Sequence, residues 1–289
     1  MQVPESLKWN VYISFHLFML NETMEHELVR EDQENPLLMR TFSIIIPAYN
    51  EEERIGPVLE EISSFISINR LPWEVIIAVD GNDGTENIIM RYREKYPFIN
   101  SKKSSVRSGM GGAIKRGILA STGEIVLLMD GDGSASLEDV ARKVDLLDSF
   151  DIVNFNRYSS PENRIPFKRR FASRAFNLII RALFGVHVHD TQCGYKIMKR
   201  SIVMPIVRKL SVSNAFFLSA LFIYAKKCNV RIVEVPIRYA HSDGSKFNVI
   251  MTSISYLVSI SAFKIRNSGL YDYTPKFIKE LYYKKLRYL

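Results

Sequence analysis

The chain has 289 residues, 47% hydrophobic and 24% charged, the balance of a globular protein with a substantial core and room for one large α/β domain or a domain plus an appendage. Its net charge of +8 and pI of about 9.3 suit an anionic partner, whether nucleic acid, an anionic membrane surface or a phosphorylated substrate. No stretch reaches the ~18 uninterrupted apolar residues of a spanning helix, and Cys193 and Cys228 lack metal-ligand spacing and read as reduced thiols of a cytosolic protein.

Residues 1–40 read as an appendage that joins one apolar patch to the acidic, turn-rich run NETMEHELVREDQENP. The patch at 9–20 contains His16 and has no small-residue cleavage pattern after it, which argues against a signal peptide. A strand is predicted over 42–46, ended by Pro47. Asn50 then caps a helix whose first turn holds Glu51, Glu52 and Glu53, the charges that suit the positive helix end. The second strand, 75–79, ends at Asp80; DGT breaks the chain and a charged helix follows over about 86–95. After a short strand near residue 100, RSGMGGAIKRG is a glycine-rich loop that enters a helix. The third long strand, 125–129, runs into Asp130-Gly131-Asp132, and Ser136 with Asp139 reads as a capping box for the next helix. DIVNFNR is a further strand.

Strands that alternate with helices predict βαβ units and a mostly parallel sheet. Their continuous apolar runs fit a sheet covered on both faces. In such sheets ligands bind beyond the carboxyl ends of the strands. The residues there are Pro47-Ala48-Tyr49-Asn50-Glu51, Asp80, Asp130-Gly131-Asp132 and Asn156-Arg157. Two aspartates one residue apart repel, and a hard divalent cation offsets that cost. An acidic turn in water explains the pair alone equally well. Three strands that deliver carboxylates to one edge favour a metal-assisted site for a phosphorylated ligand. The glycine loop matches neither the dinucleotide fingerprint, because Ile114 stands where a third glycine is needed, nor the P-loop, because Ile118 follows Gly117.

In order and spacing, SIIIPAYNEEERI, VIIAVDGNDGT, GMGGAIKRG and IVLLMDGDGS resemble the family-2 glycosyltransferases with the GT-A fold. DTQCGYKIMKR, VRIVEVPIRY and DGSKF narrow the resemblance to the branch that makes dolichyl-phosphate glucose and mannose, over about residues 41–250. The resemblance implies a GT-A domain over 41–247 and a metal-dependent, inverting transfer of a hexose from a nucleotide sugar to a polyprenyl phosphate. It implies that Pro47, Ala48, Tyr49 and Glu51 line the nucleotide pocket, with Asp80 near base and ribose and Gly111 and Gly131 close to the donor. Asp130 and Asp132 would hold Mg²⁺ or Mn²⁺ against the diphosphate. Arg157 and Lys246, with Ser245 beside it, would neutralise phosphate. Asp190 and Gln192 would lie near the transferred sugar or the acceptor. The sequence departs from the family twice: VDGNDGT is shorter than the usual loop, and Phe217 and Ser219 stand where relatives usually carry acidic residues.

The chemistry is coherent. Loss of a diphosphate builds charge on the leaving group, which a cation with Arg and Lys would stabilise. A hydroxyl acceptor needs a general base, and Asp190 would then be that base. A lipid phosphate is already anionic, and Asp190 would then only orient groups. FKRRFASRAFNLIIRALFG places Phe171, Ala175, Leu178, Ile179 and Ala182 on one helical face, with Arg170, Arg174, Asn177 and Arg181 on a neighbouring face. That basic face is either solvated or meets anionic headgroups and the acceptor phosphate. The apolar residues of 249–263 recur at helical spacing, as in a one-sided helix on the domain or on a membrane. The tail TPKFIKELYYKKLRYL mixes basic residues with aromatics, which suits a membrane interface. Residues 248–289 thus read as an amphipathic, membrane-associating extension, and the protein as peripheral or monotopic on the cytoplasmic face. Nucleic acid is not expected, because no RNA-binding motif is present. His187 and His189 precede Asp190 in a loop or strand. The competing readings are a family-2 transferase that acts on a sugar or glycolipid hydroxyl, a nucleotidyltransferase, and a sugar-nucleotide-binding module without turnover.

Overall fold

The structure, a computed structural model, describes residues 37–240, 249–266 and 275–276. Most of the expected appendage, Ser245, Lys246 and most of the basic tail lie outside the described residues.

Seven strands form one sheet: β1 (Phe42–Ala48), β2 (Glu74–Val79), β3 (Ile99–Ser101), β4 (Ile125–Leu128), β5 (Ile152–Asn156), β6 (Lys196–Lys199) and β7 (Ile232–Pro236), in the order β3-β2-β1-β4-β6-β5-β7. All neighbours run parallel except β6, which lies antiparallel between β4 and β5. The mostly parallel α/β expectation is therefore met, with one reversed strand.

Alternate strand residues face opposite layers. Ile44, Ile46, Val75, Ile77 and Leu127 pack under α1 (Ile55–Ile68), through Val58, Leu59 and Ile62, and α2 (Thr85–Lys95), through Ile89. Ile45, Ile76, Val126 and Leu128 pack under α3 (Gly109–Ala120), through Ile114 and Ile118. Each fully buried aliphatic side chain contributes about 1.5–3 kcal/mol. These two layers fix the sheet to which the site is attached.

After β4 come the short helix α4 (Leu137–Ala141) and a 3₁₀ turn over Val144–Asp148. The Ser136 hydroxyl accepts from Asp139 N at 3.4 Å, as a cap should. Then follow α5 (Phe167–Phe184), α6 (Arg200–Lys209), α7 (Phe217–Lys227) and α8 (Val249–Arg266). Helix α5 is closed by Gly185 at φ 61°, a left-handed cap that glycine adopts without strain. It buries Phe176, Asn177 and Ile180, whereas Phe167, Phe171 and Leu178 are 80%, 66% and 61% exposed. The predicted apolar stripe is thus split: Phe171 and Leu178 face outward, whereas Ile179 packs against the core. Helix α8 packs on the domain through Tyr256, Ser259, Ile260 and Phe263 and exposes Leu257. No helix among the described residues is long and apolar enough to cross a membrane.

Candidate active site

Strand register brings the expected loops to one edge. Ala48 pairs with Val79 and Ile45 with Leu128, so the segments after β1, β2 and β4 leave the sheet side by side. The loop after β1 differs from the sequence expectation. Asn50 caps no helix: it sits at φ 54° and its side chain accepts from Asn82 N at 3.1 Å. Glu51 N donates to the Thr85 hydroxyl at 2.9 Å and Glu52 N to Asp83 at 3.1 Å, so groups of the β2 loop already satisfy these amides, and the helix begins at Ile55. The Glu51 carboxylate pairs with Arg54 at 2.6 Å. Tyr49 is exposed, and the Arg107 guanidinium lies 4.5 Å from its ring centroid. The sequence reading passed over Arg107.

Asp80 is buried, and its carboxylate gathers the start of α3. It accepts from Ser108 N at 2.8 Å, Gly109 N at 2.7 Å and the Ser108 hydroxyl at 2.7 Å, with Arg116 at 3.6 Å. What the structure shows for Asp80 is therefore an anchor for the glycine-rich loop. Gly111 faces α7: a Cβ there would run into Phe217 Cβ and the Asn214 carbonyl. Its visible role is close helix packing.

Asp130, Gly131 and Asp132 follow β4, where the sequence placed them. Burial and the neighbouring Asp132 raise the Asp130 pKa to about 6, against the pull of Arg157, Lys196 and Arg169. The Asp132 carboxylate accepts from Ser134 N at 3.1 Å and from the Ser134 hydroxyl. Asp130 rests against Gly194, where any Cβ would overlap its carboxylate. Gly194 is thus the seat of one member of the acidic pair. Gly194→Ala should lower turnover by at least about tenfold, as expected when a catalytic group shifts by about an ångström, and should leave far-ultraviolet circular dichroism unchanged. Initial rates and a spectrum of the variant check this.

Arg157 follows β5, and Asp190 lies on the loop before β6. Asp190 is 0% exposed and the Arg157 side chain is almost as buried. Arg157 Nε and Nη2 each donate to the Asp190 carboxylate at 2.9 Å, and Arg157 N adds a third bond at 3.1 Å. Burial alone would raise Asp190, but the charge and bonds of Arg157 hold it below the ordinary carboxylate value. Arg157 also lies 5.6 Å from the ring centroids of both Tyr158 and Tyr239. Glu234 on β7 accepts from His189 N, Asp190 N and Asn154 Nδ2 at 2.8–3.1 Å. It fixes the loop from below and was missed from sequence. Lys196, wholly buried, donates to the Cys193 carbonyl and sits 5.1 Å from the Phe222 ring centroid.

Gln192 is bound between α7 and α8. On α5, Arg174 is exposed and Arg170 half-buried. From this helix the charge of Arg169 bears on Asp130, Tyr158 and Tyr256. His187 and His189 are exposed in the loop before Asp190, and His189 Nδ1 lies 3.0 Å from Glu234.

The seven-stranded α/β sheet gathers an acidic pair, a buried arginine and a glycine-rich loop at one edge, the edge where ligands of such sheets bind. Residues 43–206 match the family described as Glycosyl transferase family 2, and the chain belongs to that family. It is a glycosyltransferase, like the dolichyl-phosphate glucosyltransferases in sequence. It is 30% identical over 277 residues to the dolichyl-phosphate beta-glucosyltransferase of Dictyostelium discoideum, covering 90% of this chain and 83% of that one. It is 27% identical over 247 residues to the human protein of the same name, covering 79% and 76%. Among solved structures, glucosyl-3-phosphoglycerate synthase from Mycobacterium tuberculosis in complex with phosphoglyceric acid superposes with a TM-score of 0.58 at 18% identity, covering 76% of this chain and 79% of that one. The same enzyme in complex with Mn²⁺ and uridine-diphosphate-glucose gives 0.56, covering 76% and 78%. These neighbours share the GT-A-like fold.

Proposed function

We propose that the protein transfers glucose from UDP-glucose to a polyprenyl (dolichyl) phosphate, with inversion at the anomeric carbon, at the cytoplasmic face of a membrane. The names of the curated relatives support the acceptor and the sugar, and the donor seen with the structural neighbour supports UDP. The observation that carries the reading is the Arg157–Asp190 pair. The carboxylate that a hydroxyl acceptor would use as base is fully buried, ionised and bonded three times to one arginine. An acceptor that arrives ionised needs no such base. Its phosphate would meet cations instead, and Arg169, whose charge bears on Asp130, is a candidate to receive it.

Asp130 and Asp132 fit a divalent ion. They are two neighbouring carboxylates, one of them raised by burial and by the other and seated where a glycine leaves room. Mg²⁺ or Mn²⁺ is commonly held by one or two carboxylates together with substrate phosphates. When bound, such an ion would neutralise charge on the departing diphosphate. Tyr49, Glu51 and their neighbours would hold the nucleotide, and Lys246 would add a cation from outside the described residues.

The exposed Phe167, Phe171 and Leu178 lie on the same helix as the exposed Lys168, Arg174 and Arg181. This mixture suits shallow insertion among anionic headgroups. It would bring the lipid phosphate to the first turn of α5, where Arg169 lies.

The test is a donor panel given to the protein with Mn²⁺ and vesicles that carry polyprenyl phosphate, read by mass spectrometry. UDP-glucose should give the glucosylated lipid phosphate, with protein sedimenting with the vesicles at low salt and partly released by high salt. Product on glycolipid hydroxyls alone would overturn the reading.

A further inference from the structure

The amide of Gln192 is held at both ends. Its Nε2 donates to the Ser219 hydroxyl at 2.6 Å, and its Oε1 accepts from the Tyr256 hydroxyl at 2.8 Å. Ser219 in turn shares a hydrogen bond with Thr191 Oγ1 at 2.7 Å. Thr191 is bonded through N and Oγ1 to Asn177 Oδ1 at 3.0 and 2.8 Å. Helices α5, α7 and α8 thus grip the two residues that follow Asp190, and they do so with neutral groups, although Ser219 stands where the family resemblance implies an acid.

Tyr256 suits this task. Its ring lies on Phe176 with centroids 4.4 Å apart. Burial raises its pKa above the ordinary phenol value despite the pull of Arg157 and Arg169, so it stays a hydrogen-bond donor at neutral pH. Helix α8 has separate fastenings. Asn214 Nδ2 donates to the Ser259 hydroxyl at 2.7 Å, and Phe263 sits among Phe184, Phe216 and Tyr224 with centroids 5.5–5.9 Å apart. The helix would stay docked without the phenol oxygen, so the Tyr256 hydroxyl acts on Gln192 rather than on the packing of the helix.

We infer that Tyr256 is a positioning residue: through Gln192 it fixes the turn after Asp190, and with it the bearing of the Arg157–Asp190 pair on the acceptor. The part about the acceptor rests on the function proposed above. Arg157 is bonded to Asp190 by both backbone and side chain, so a shift of the turn is passed directly to the guanidinium.

Tyr256→Phe keeps the ring and removes only the oxygen. One lost hydrogen bond corresponds to about tenfold. The expected result is a fall of about tenfold in kcat/KM for polyprenyl phosphate, with KM for UDP-glucose unchanged and the melting temperature lowered by no more than a few degrees. Gln192→Leu should fall at least as far, and the double variant should be no worse than Gln192→Leu alone, since both changes act through one bond. Amide hydrogen exchange at Thr191 and Gln192 should accelerate in Tyr256→Phe without any acceptor present. Additive losses in the double variant, or unchanged exchange at these two amides, would overturn the inference. If wild type fails to transfer to polyprenyl phosphate while exchange accelerates in the variant, the acceptor reading falls and the positioning contact is supported.

Discussion

Asp132→Asn is expected to abolish transfer, by about a thousandfold or more, while the melting temperature stays near that of wild type. The size follows from the chemistry. A sugar leaves a diphosphate, and removing one element of electrostatic stabilisation from such a site costs about 10²–10³ even where no metal is lost with it. The fold should survive, because Asp132 is only half-buried and its bonds to Ser134 lie within its own turn. Initial rates, Mn²⁺ titration calorimetry and a thermal melt check the three parts. Retained activity in EDTA, or in the variant, would sink the metal role.

Asp130 adds a pH dependence with a definite sign. Its folded pKa of about 6 lies above the ordinary aspartate value of 3.8, with burial first and Asp132 second as causes. Between those values the folded protein binds more protons at this position than the unfolded chain, so in the absence of metal this residue's contribution to stability falls as pH rises through the window. A cation relieves that penalty but must displace the proton below pH 6. The rise in melting temperature caused by Mn²⁺ should therefore be larger at pH 7 than at pH 5.

The second large effect concerns the buried pair. Arg157→Ala leaves the Asp190 carboxylate buried without its counterion, and breaking such a pair costs about 3–5 kcal/mol. Transfer should be undetectable, and the melting temperature should fall by roughly 10 °C for a domain of this size. Asp190→Asn keeps an oxygen acceptor, so activity should persist at a reduced but measurable level if the residue orients Arg157. A base would behave differently: its loss would remove the acidic limb of the pH–rate profile. Asp190 has a depressed folded pKa, so its contribution to stability is present above the ordinary aspartate value and is lost as the pH falls through the folded one. Acid unfolding of wild type and Asp190→Asn should thus converge at low pH.

The parts of the fold that one segment determines by itself were legible. The apolar runs before Pro47, Asp80 and Asp130 are buried parallel strands, and their shared edge follows from βαβ topology. The parts that two distant segments determine together were not. Asp190 is recognisable as polar, but its partner lies 33 residues away across a strand that runs backwards. Strand β6 is short and begins and ends in lysine, so nothing in its pattern separates it from a loop. Glu234 looks like an ordinary strand residue until three donors from elsewhere converge on it. Asn50 and the glutamates after it have a helix-start composition, yet the β2 loop outcompetes the helix for their amides. On α5, periodicity identified an apolar stripe without saying that the core takes Phe176 and Ile180 instead.

The reversed strand has a consequence for the order in which the enzyme is built. The strands of the sheet portion β3-β2-β1-β4 pair with one another over residues that end at Leu128, so their ladders can form while the rest of the chain is still being translated. Strand β5 is made next but has no place on that portion, because its slot beside β4 belongs to β6. The segment that carries Arg157 must therefore wait, apolar and unpaired, until Lys199 has left the ribosome, several seconds later at roughly 5–20 residues per second. During that interval the Asp130–Asp132 edge exists without the Arg157–Asp190 pair, and the nascent chain is at its most vulnerable to aggregation. Ribosome-bound chains from which Asn156 has emerged and Lys196 has not are accordingly where chaperone capture should peak.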